Sequence, residues 1–597
     1  MSDAPQPQAV FRRLLTYARP HTGMFLTSFA ILAGLFVCQL SRPWILKSGI
    51  DGPIRGAEAA RDLAGDGFDA TPWLAELGWW AAGYLVVVIL GALLQAVQLR
   101  HITRTGQGVI HDLRTELFGH IQSLDVAWSD SIPTGALVTR VTSDIENLSE
   151  LFTSGLVVLA FDVLKIVVVL GLLYSVSVPL AFVVTVLIPL LVIASILFRG
   201  GARRAHGIVR ERLSTLNGYL QEVLSGIRVV TMFGREERVS QTFAGHLGSY
   251  FQANLRTIFL FAVFFPTIGF LTVMIEGAIL WRGADALSTG ALSFGEFLMF
   301  WLWVGMLLGP IRELGERYNV LQSAFASAER VFQILDERAL VTTESDDSKS
   351  VPPFRGHVRF ENVSFAYGED DVVKNVSFEI PPGKTVALVG ATGSGKSTLV
   401  QLLLRFYDPR EGRVTIDGVD LRERDALAWR DHLGVVLQDD FLFSEPLRDN
   451  LTLGRDSVTD KTLSDALRVS TASELIQRLE GGLDTVVAER GVTLSVGERE
   501  LISIARALAG NPRLVVFDEA TASVDSETEA RIEEATHRLF AERSALVVAH
   551  RLSTVRRADI ILVMHKGELR ESGDHESLLR AGGLYAKLYA LQFADLD

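Results

Sequence analysis

The sequence predicts two domains of different class: an all-α membrane domain of six spanning helices, then an α/β domain of the P-loop type. Three observations carry this. The chain has 597 residues, 48% of them hydrophobic, and the apolar excess lies almost entirely before about residue 310. A mostly apolar run, Thr385-Val386-Ala387-Leu388-Val389, leads directly into the glycine-rich Gly390-Ala391-Thr392-Gly393-Ser394-Gly395-Lys396-Ser397-Thr398. Further on, Leu514-Val515-Val516-Phe517 reads as a buried strand and ends in two carboxylates, Asp518 and Glu519.

A helix crossing the hydrocarbon core needs about 20 mostly apolar residues. Six stretches qualify: roughly 24–46, 78–99, 156–176, 179–198, 258–281 and 294–310. The opening residues are polar and then basic, so no cleavable signal peptide is expected and insertion rests on these internal helices. Arg12, Arg13 and Arg19 precede the first span, Arg100, Arg104 and Arg114 follow the second, and Arg199, Arg203 and Arg204 follow the fourth. Positive charge marks the cytoplasmic side, which puts 51–73 outside as a loop rich in Gly, Asp and Ala. The segments 101–155 and 200–257 keep helical periodicity with single interruptions, near 129–135 and 226–234. Loops of such length without structure are uncommon. Helices running on beyond the membrane are expected instead, each hairpin tip offering a short helix to the cytoplasm.

Asp162 and Lys165 in the third span and Glu276 in the fifth are charges that cost about 2.5–3.5 kcal/mol each at the membrane centre. Asp162 and Lys165 share a helix face and either neutralise each other or line a wet cavity for cargo. Glu276 has no local partner in sequence, which favours a cavity-facing role. A net charge of −13 implies no strongly basic face, so nucleic acid is not an expected ligand. The single cysteine, Cys38, excludes an internal disulfide and reads as a buried inert thiol.

The expected domains are 1–336 for the membrane, a polar linker 337–356 punctuated by Pro352-Pro353, and 357–597 for the α/β part. The pattern GxxxxGKS between strand and helix is a phosphate-binding loop: glycines let backbone N–H groups close around phosphates, and the helix points its positive end at them. Lys396 is expected to reach the β- and γ-phosphates of ATP, and Ser397 to offer its hydroxyl to Mg²⁺. Asp518 suits the metal shell and Glu519 the polarisation of an attacking water.

With these motifs in place, the whole chain resembles a half-transporter of the ATP-binding-cassette exporter family. The resemblance implies that Tyr367 stacks on adenine, that Gln438 touches Mg²⁺ and senses the membrane domain, and that His550 contacts the γ-phosphate. Glu489-Arg490-Gly491 matches the short motif facing the coupling helices, and Ser523-Val524-Asp525 the dimer-crossing loop. The family signature LSGGQ reads Leu494-Ser495-Val496-Gly497-Glu498 here. In the family it lies in a helical insert, opens a helix and caps the ATP of the other subunit. Val496 restricts the backbone where glycine is usual, and Glu498 brings negative charge toward a triphosphate. That departure favours a heterodimer with a second half-transporter over a homodimer. The resemblance further implies a multi-pass protein of the bacterial plasma membrane with its ATPase domain in the cytoplasm. Lipids or hydrophobic and amphipathic small molecules would be exported by alternating access. An ATP-gated channel or regulator is the alternative.

Overall fold

The computed structural model describes residues 7–64, 68–339, 341, 354–437, 441–488, 491–518, 526–541, 543–549 and 552–593. The chain divides into two compact units. One holds the chain up to Gln122 together with Thr134–Glu337, and the other holds Ser123–Pro133 together with the chain from Arg338 onward.

The first unit is helical throughout. Among the described residues, five helical stretches are long and apolar enough to cross a membrane, in accord with five of the six expected spans. They contain the helices Thr22–Gly49, Thr71–Ser123, Leu156–Val176, Val178–Ser225 and Glu236–Ser288. The sixth expected span opens the helix Phe294–Asp336, which is apolar over Phe294–Leu307 among the described residues. Buried side chains knit these helices together: Val169 and Leu173, Leu180 and Val184, Ile275 and Ile279, Phe300 and Leu307. Phe161 stands edge-on to both Phe29 and Phe36, with ring centroids 5.7 Å away in each case.

The segment expected as an external loop is mostly ordered helix. A widened turn, Ile50–Ile54, passes into the helix Arg55–Ala64, and helix resumes at Thr71. Alanine, arginine and glutamate are strong helix formers, and RGAEAARDLA outweighs the glycine and aspartate that read as loop. The last long helix is fixed at its start by a capping box between Ser293 and Glu296. Glu296 also pairs with Lys47 at 3.0 Å, and Asp51 accepts from the Gly295 amide at 3.1 Å. Further along the same helix, Ser327 donates at 3.0 Å, and the Arg330 guanidinium donates too, to the buried Asp144 of the turn Arg140–Asp144, which also accepts from Arg140 at 2.8 Å.

Both hairpin tips carry short helices, as the broken periodicity implies. Ile227–Met232 joins Val178–Ser225 to Glu236–Ser288, and Val126–Ser131 follows Thr71–Ser123. The second of these groups with the other unit and is capped by Asp125, which accepts from the Trp128 amide at 2.8 Å.

The second unit contains two sheets. The four-stranded antiparallel sheet runs β2-β1-β4-β5, from β1 (Val358–Ala366), β2 (Asp371–Ile380), β4 (Glu411–Ile416) and β5 (Val419–Asp420). The six-stranded sheet runs β10-β9-β3-β8-β7-β6. Its members are β3 (Thr385–Val389), β6 (Leu433–Val436), β7 (Leu514–Asp518), β8 (Ser544–Val548), β9 (Ile560–His565) and β10 (Glu568–Gly573). Five of these strands are parallel and β10 is antiparallel to β9. Parallel strands are covered on both faces, and β3 shows it: Val386 and Leu388 pack into one buried cluster, Ala387 and Val389 into another. Between β6 and β7 the chain makes the helices Leu447–Thr452, Asp460–Val469, Ser473–Arg478 and Val496–Ala509, the helical insert the resemblance implies.

Candidate nucleotide-binding site

In an open parallel sheet, ligands lie beyond the carboxyl ends of the strands. The order β3-β8-β7 brings the ends of the phosphate-loop strand and of the strand bearing Asp518 to one edge, with β8 between them. The loop leaves β3 at Gly390, where a Cβ would sit 2.3 Å from the Met564 carbonyl oxygen, so no larger residue fits. It closes at Gly395, whose φ of +98° favours glycine, and the helix Lys396–Leu403 begins at the next residue.

The loop is organised around one ammonium. Lys396 is buried and donates from Nζ to the carbonyl oxygens of Gly390 at 2.7 Å and Ala391 at 3.1 Å. Burial lowers its pKa, and the nearby Asp518 carboxylate opposes that shift. Ser394 Oγ is buried with no hydrogen-bond partner among the described residues. An unmet buried hydroxyl costs about 1–3 kcal/mol, a cost that a ligand oxygen in the loop would remove. Thr392, Gly393 and Ser397 are exposed on the open side. Asp518 ends β7 half-buried.

Tyr367 follows β1 and forms an aromatic wall. Its hydroxyl donates to Thr398 Oγ1 at 3.3 Å and to the Gln401 side-chain oxygen. Its ring is edge-on to Phe365 at 5.0 Å and to Tyr407 at 5.3 Å, which leaves about half of the residue exposed. Burial of the remainder pushes its pKa up. Gln438, Glu519 and His550 lie outside the described residues, as do Glu489, Arg490 and the run Ser523-Val524-Asp525.

The altered signature is a helix start. Ser495 is the N-cap of Val496–Ala509: its hydroxyl accepts from the Glu498 amide at 3.2 Å, and the Glu498 carboxylate accepts from the Ser495 amide at 2.9 Å. Arg478 adds a contact to that carboxylate at 3.0 Å. The charge that the sequence sets against a triphosphate is thus engaged within its own domain. Val496 takes the first helical position, a backbone conformation any residue adopts, so the expected backbone restriction is absent there. Its side chain is 43% exposed. Gly497 is buried behind it.

Asp162 and Lys165 are half-buried on Leu156–Val176, and Glu276 is half-buried on Glu236–Ser288 between the buried Ile275 and Ile279. Among the described residues, Glu276 has no ion-pair partner. A cavity of about 600 Å³ in the second unit is lined by Glu529, Glu533, His537 and Arg557 among others, and no phosphate-loop residue contributes to it. Sequence reasoning missed Arg478, Gln401 and Tyr407. It missed the capping role of Glu498 as well, although the spacing Ser-x-x-Glu is a helix-start signal.

Residues 24–311 match the family model of the ABC transporter transmembrane region, and residues 373–522 match that of the ABC transporter. An uncharacterized ABC transporter ATP-binding protein of Bacillus subtilis, YknV, is 37% identical over 85% of this chain and 84% of its own length. An ATP-dependent lipid A-core flippase of Syntrophus aciditrophicus is 33% identical over 99% of this chain and 96% of its own. A putative multidrug export ATP-binding/permease protein of Bacillus subtilis, YgaD, is 33% identical over 98% of this chain and 99% of its own. Membrane helices, a phosphate loop and a signature helix in one chain, matched end to end by such relatives, make this chain a member of the ABC transporter family: a multi-pass, ATP-hydrolysing half-transporter of the exporter type.

Proposed function

We propose that this chain couples ATP hydrolysis to the outward movement of lipids or of hydrophobic and amphipathic small molecules, as one half of a dimeric exporter in a bacterial plasma membrane. The observation that carries the reading is the phosphate loop, where Lys396 is buried against the loop carbonyls and Ser394 Oγ lacks a partner among the described residues, in a chain that also supplies apolar helices long enough to span. The bacterial lipid A-core flippase and multidrug relatives support the cargo class and the membrane.

In this reading Lys396 leaves the carbonyls of Gly390 and Ala391 for the β- and γ-phosphates, and Ser394 gains its missing partner. Tyr367 offers its exposed face to adenine. Mg²⁺ would supply charge neutralisation at the phosphates, held by the Ser397 hydroxyl, Gln438 and, through water, Asp518, all oxygen donors of the kind it prefers. Glu519 polarises the attacking water. His550, two residues beyond β8 in the sequence, is proposed to contact the γ-phosphate, as the resemblance implies. Asp162, Lys165 and Glu276 are proposed to face the cargo path.

The second half is proposed to be a different chain carrying an unaltered signature. The support is the branched, exposed side chain of Val496 where the family has bare glycine; the charge of Glu498 no longer contributes to the argument. Glu519→Gln tests the whole. Steady-state hydrolysis in the purified complex should fall at least about a hundredfold, while Mg-ATP binding persists and the transporter accumulates closed around nucleotide. Turnover at the wild-type rate in that variant removes Glu519 from the mechanism.

A further inference from the structure

The tip helix Val126–Ser131 belongs to the same compact unit as the phosphate loop. Two hydrogen bonds help to hold it there. Asp125 Oδ2 accepts from the Val341 amide at 3.2 Å, and Asp130 Oδ2 accepts from the Tyr407 hydroxyl at 2.7 Å. Tyr407 lies four residues beyond the phosphate-loop helix Lys396–Leu403. Its ring packs edge-on against Tyr367 at 5.3 Å and Phe365 at 5.3 Å. Tyr367 in turn hydrogen-bonds Thr398 and Gln401 on that helix. One unbroken set of contacts therefore runs from the phosphate-loop helix through two tyrosine rings to a carboxylate on the hairpin tip.

We infer that Tyr407 is a positioning residue which reports the occupancy of the base site to the hairpin tip through its hydrogen bond to Asp130. The inference rests on the proposed reading that Tyr367 stacks on adenine, and it adds the hairpin tip as the element that receives the signal. Stacking on the exposed face of Tyr367 restrains that ring. Edge-to-face pairs have preferred geometry, so a restrained Tyr367 restrains Tyr407. The Tyr407 hydroxyl is the one polar atom of the pair directed at the tip helix, and burial together with the Asp130 charge keeps it protonated and donating. Neither Tyr407 nor Asp130 needs to touch nucleotide for this to work.

The test is amide exchange of segment 126–131 in the full-length transporter in lipid nanodiscs, with and without Mg-AMP-PNP, beside nucleotide affinity measured on the same samples. In the wild type, nucleotide should slow exchange of 126–131 by about fivefold, the effect of firming one hydrogen bond. Tyr407→Phe keeps the ring and loses the hydroxyl; it should bind AMP-PNP within about twofold of wild type and show no protection. Asp130→Ala should behave likewise, and Asp130→Asn, whose amide carbonyl still accepts, should keep the protection. Full protection in Tyr407→Phe overturns the link while leaving the hairpin route intact. A parallel collapse of nucleotide affinity overturns it too, since Tyr407 would then be part of the base site itself. No nucleotide effect on 126–131 in the wild type sinks the hairpin reading on which the link depends.

Discussion

Among the described residues, the carboxylate of Glu498 accepts from the Ser495 amide and from the Arg478 guanidinium. A glutamine accepts the first bond equally well and forfeits only a partly exposed ion pair, worth about 0–1 kcal/mol. Glu498→Gln should therefore leave ATPase activity within about twofold of wild type. Glu498→Ala removes the reciprocal cap, worth about 0.5–2 kcal/mol, and should lower activity severalfold by loosening the helix start. A large gain of activity in Glu498→Gln would show instead that the charge repels phosphate. Residue-level legibility follows locality. Lys396 and its glycines are readable because a short run fixes the loop, and the Ser495–Glu498 cap is equally local. Arg478 stands 20 positions from Glu498 and Tyr407 stands 277 from Asp130, so only the packing of separate elements brings each pair together.

Asp144 ties two long helical elements, and its effect is a property of that junction. It is 3% exposed and accepts from Arg140, Ser327 and Arg330 at once. Removing one partner of such a buried network strands the others, at a cost of about 2–4 kcal/mol. Asp144→Ala should lower the melting temperature of the helical unit by about 5 °C or more, followed by tryptophan fluorescence in detergent. A shift below about 1 °C would reduce the network to a surface ornament. Spans were legible at this scale because hydropathy over 20 residues is a strong signal. One element was not. The helix Arg55–Ala64 was hidden by the glycines and aspartates around it.

For the assembled transporter, the proposal of unlike halves makes a one-sided prediction. Lys396→Ala in this chain disables the site that pairs its own Asp518 and Glu519 with the partner's unaltered signature, and should reduce ATPase activity at least about tenfold. The matching change in the partner disables the site capped by Ser495 and Val496, and should reduce it by about half or less. If the chain purifies alone as a transporting homodimer with two equal sites, the asymmetric reading is wrong and Val496 is simply tolerated. The fold of each unit was readable from periodicity and motif because both are written within one chain. The partner was not, because the surface that chooses it is completed only when two chains meet, and neither periodicity nor motif within one chain describes that meeting.

The length of Thr71–Ser123 has a mechanical consequence. Its 53 residues, at about 1.5 Å each, make a rod of about 80 Å, of which the hydrocarbon core takes about 30 Å. Tilting a rod of that length by only ~5° about one end swings the other through about 7 Å. Ser123 stands two residues before Asp125, so the swinging end is the one that carries the tip helix. A hydrogen bond fails once stretched by much more than half an ångström. An angular change of the long helix too small to repack any helix pair would thus exceed what the bond between Asp130 and Tyr407 tolerates, unless the tip keeps its place against the tyrosine.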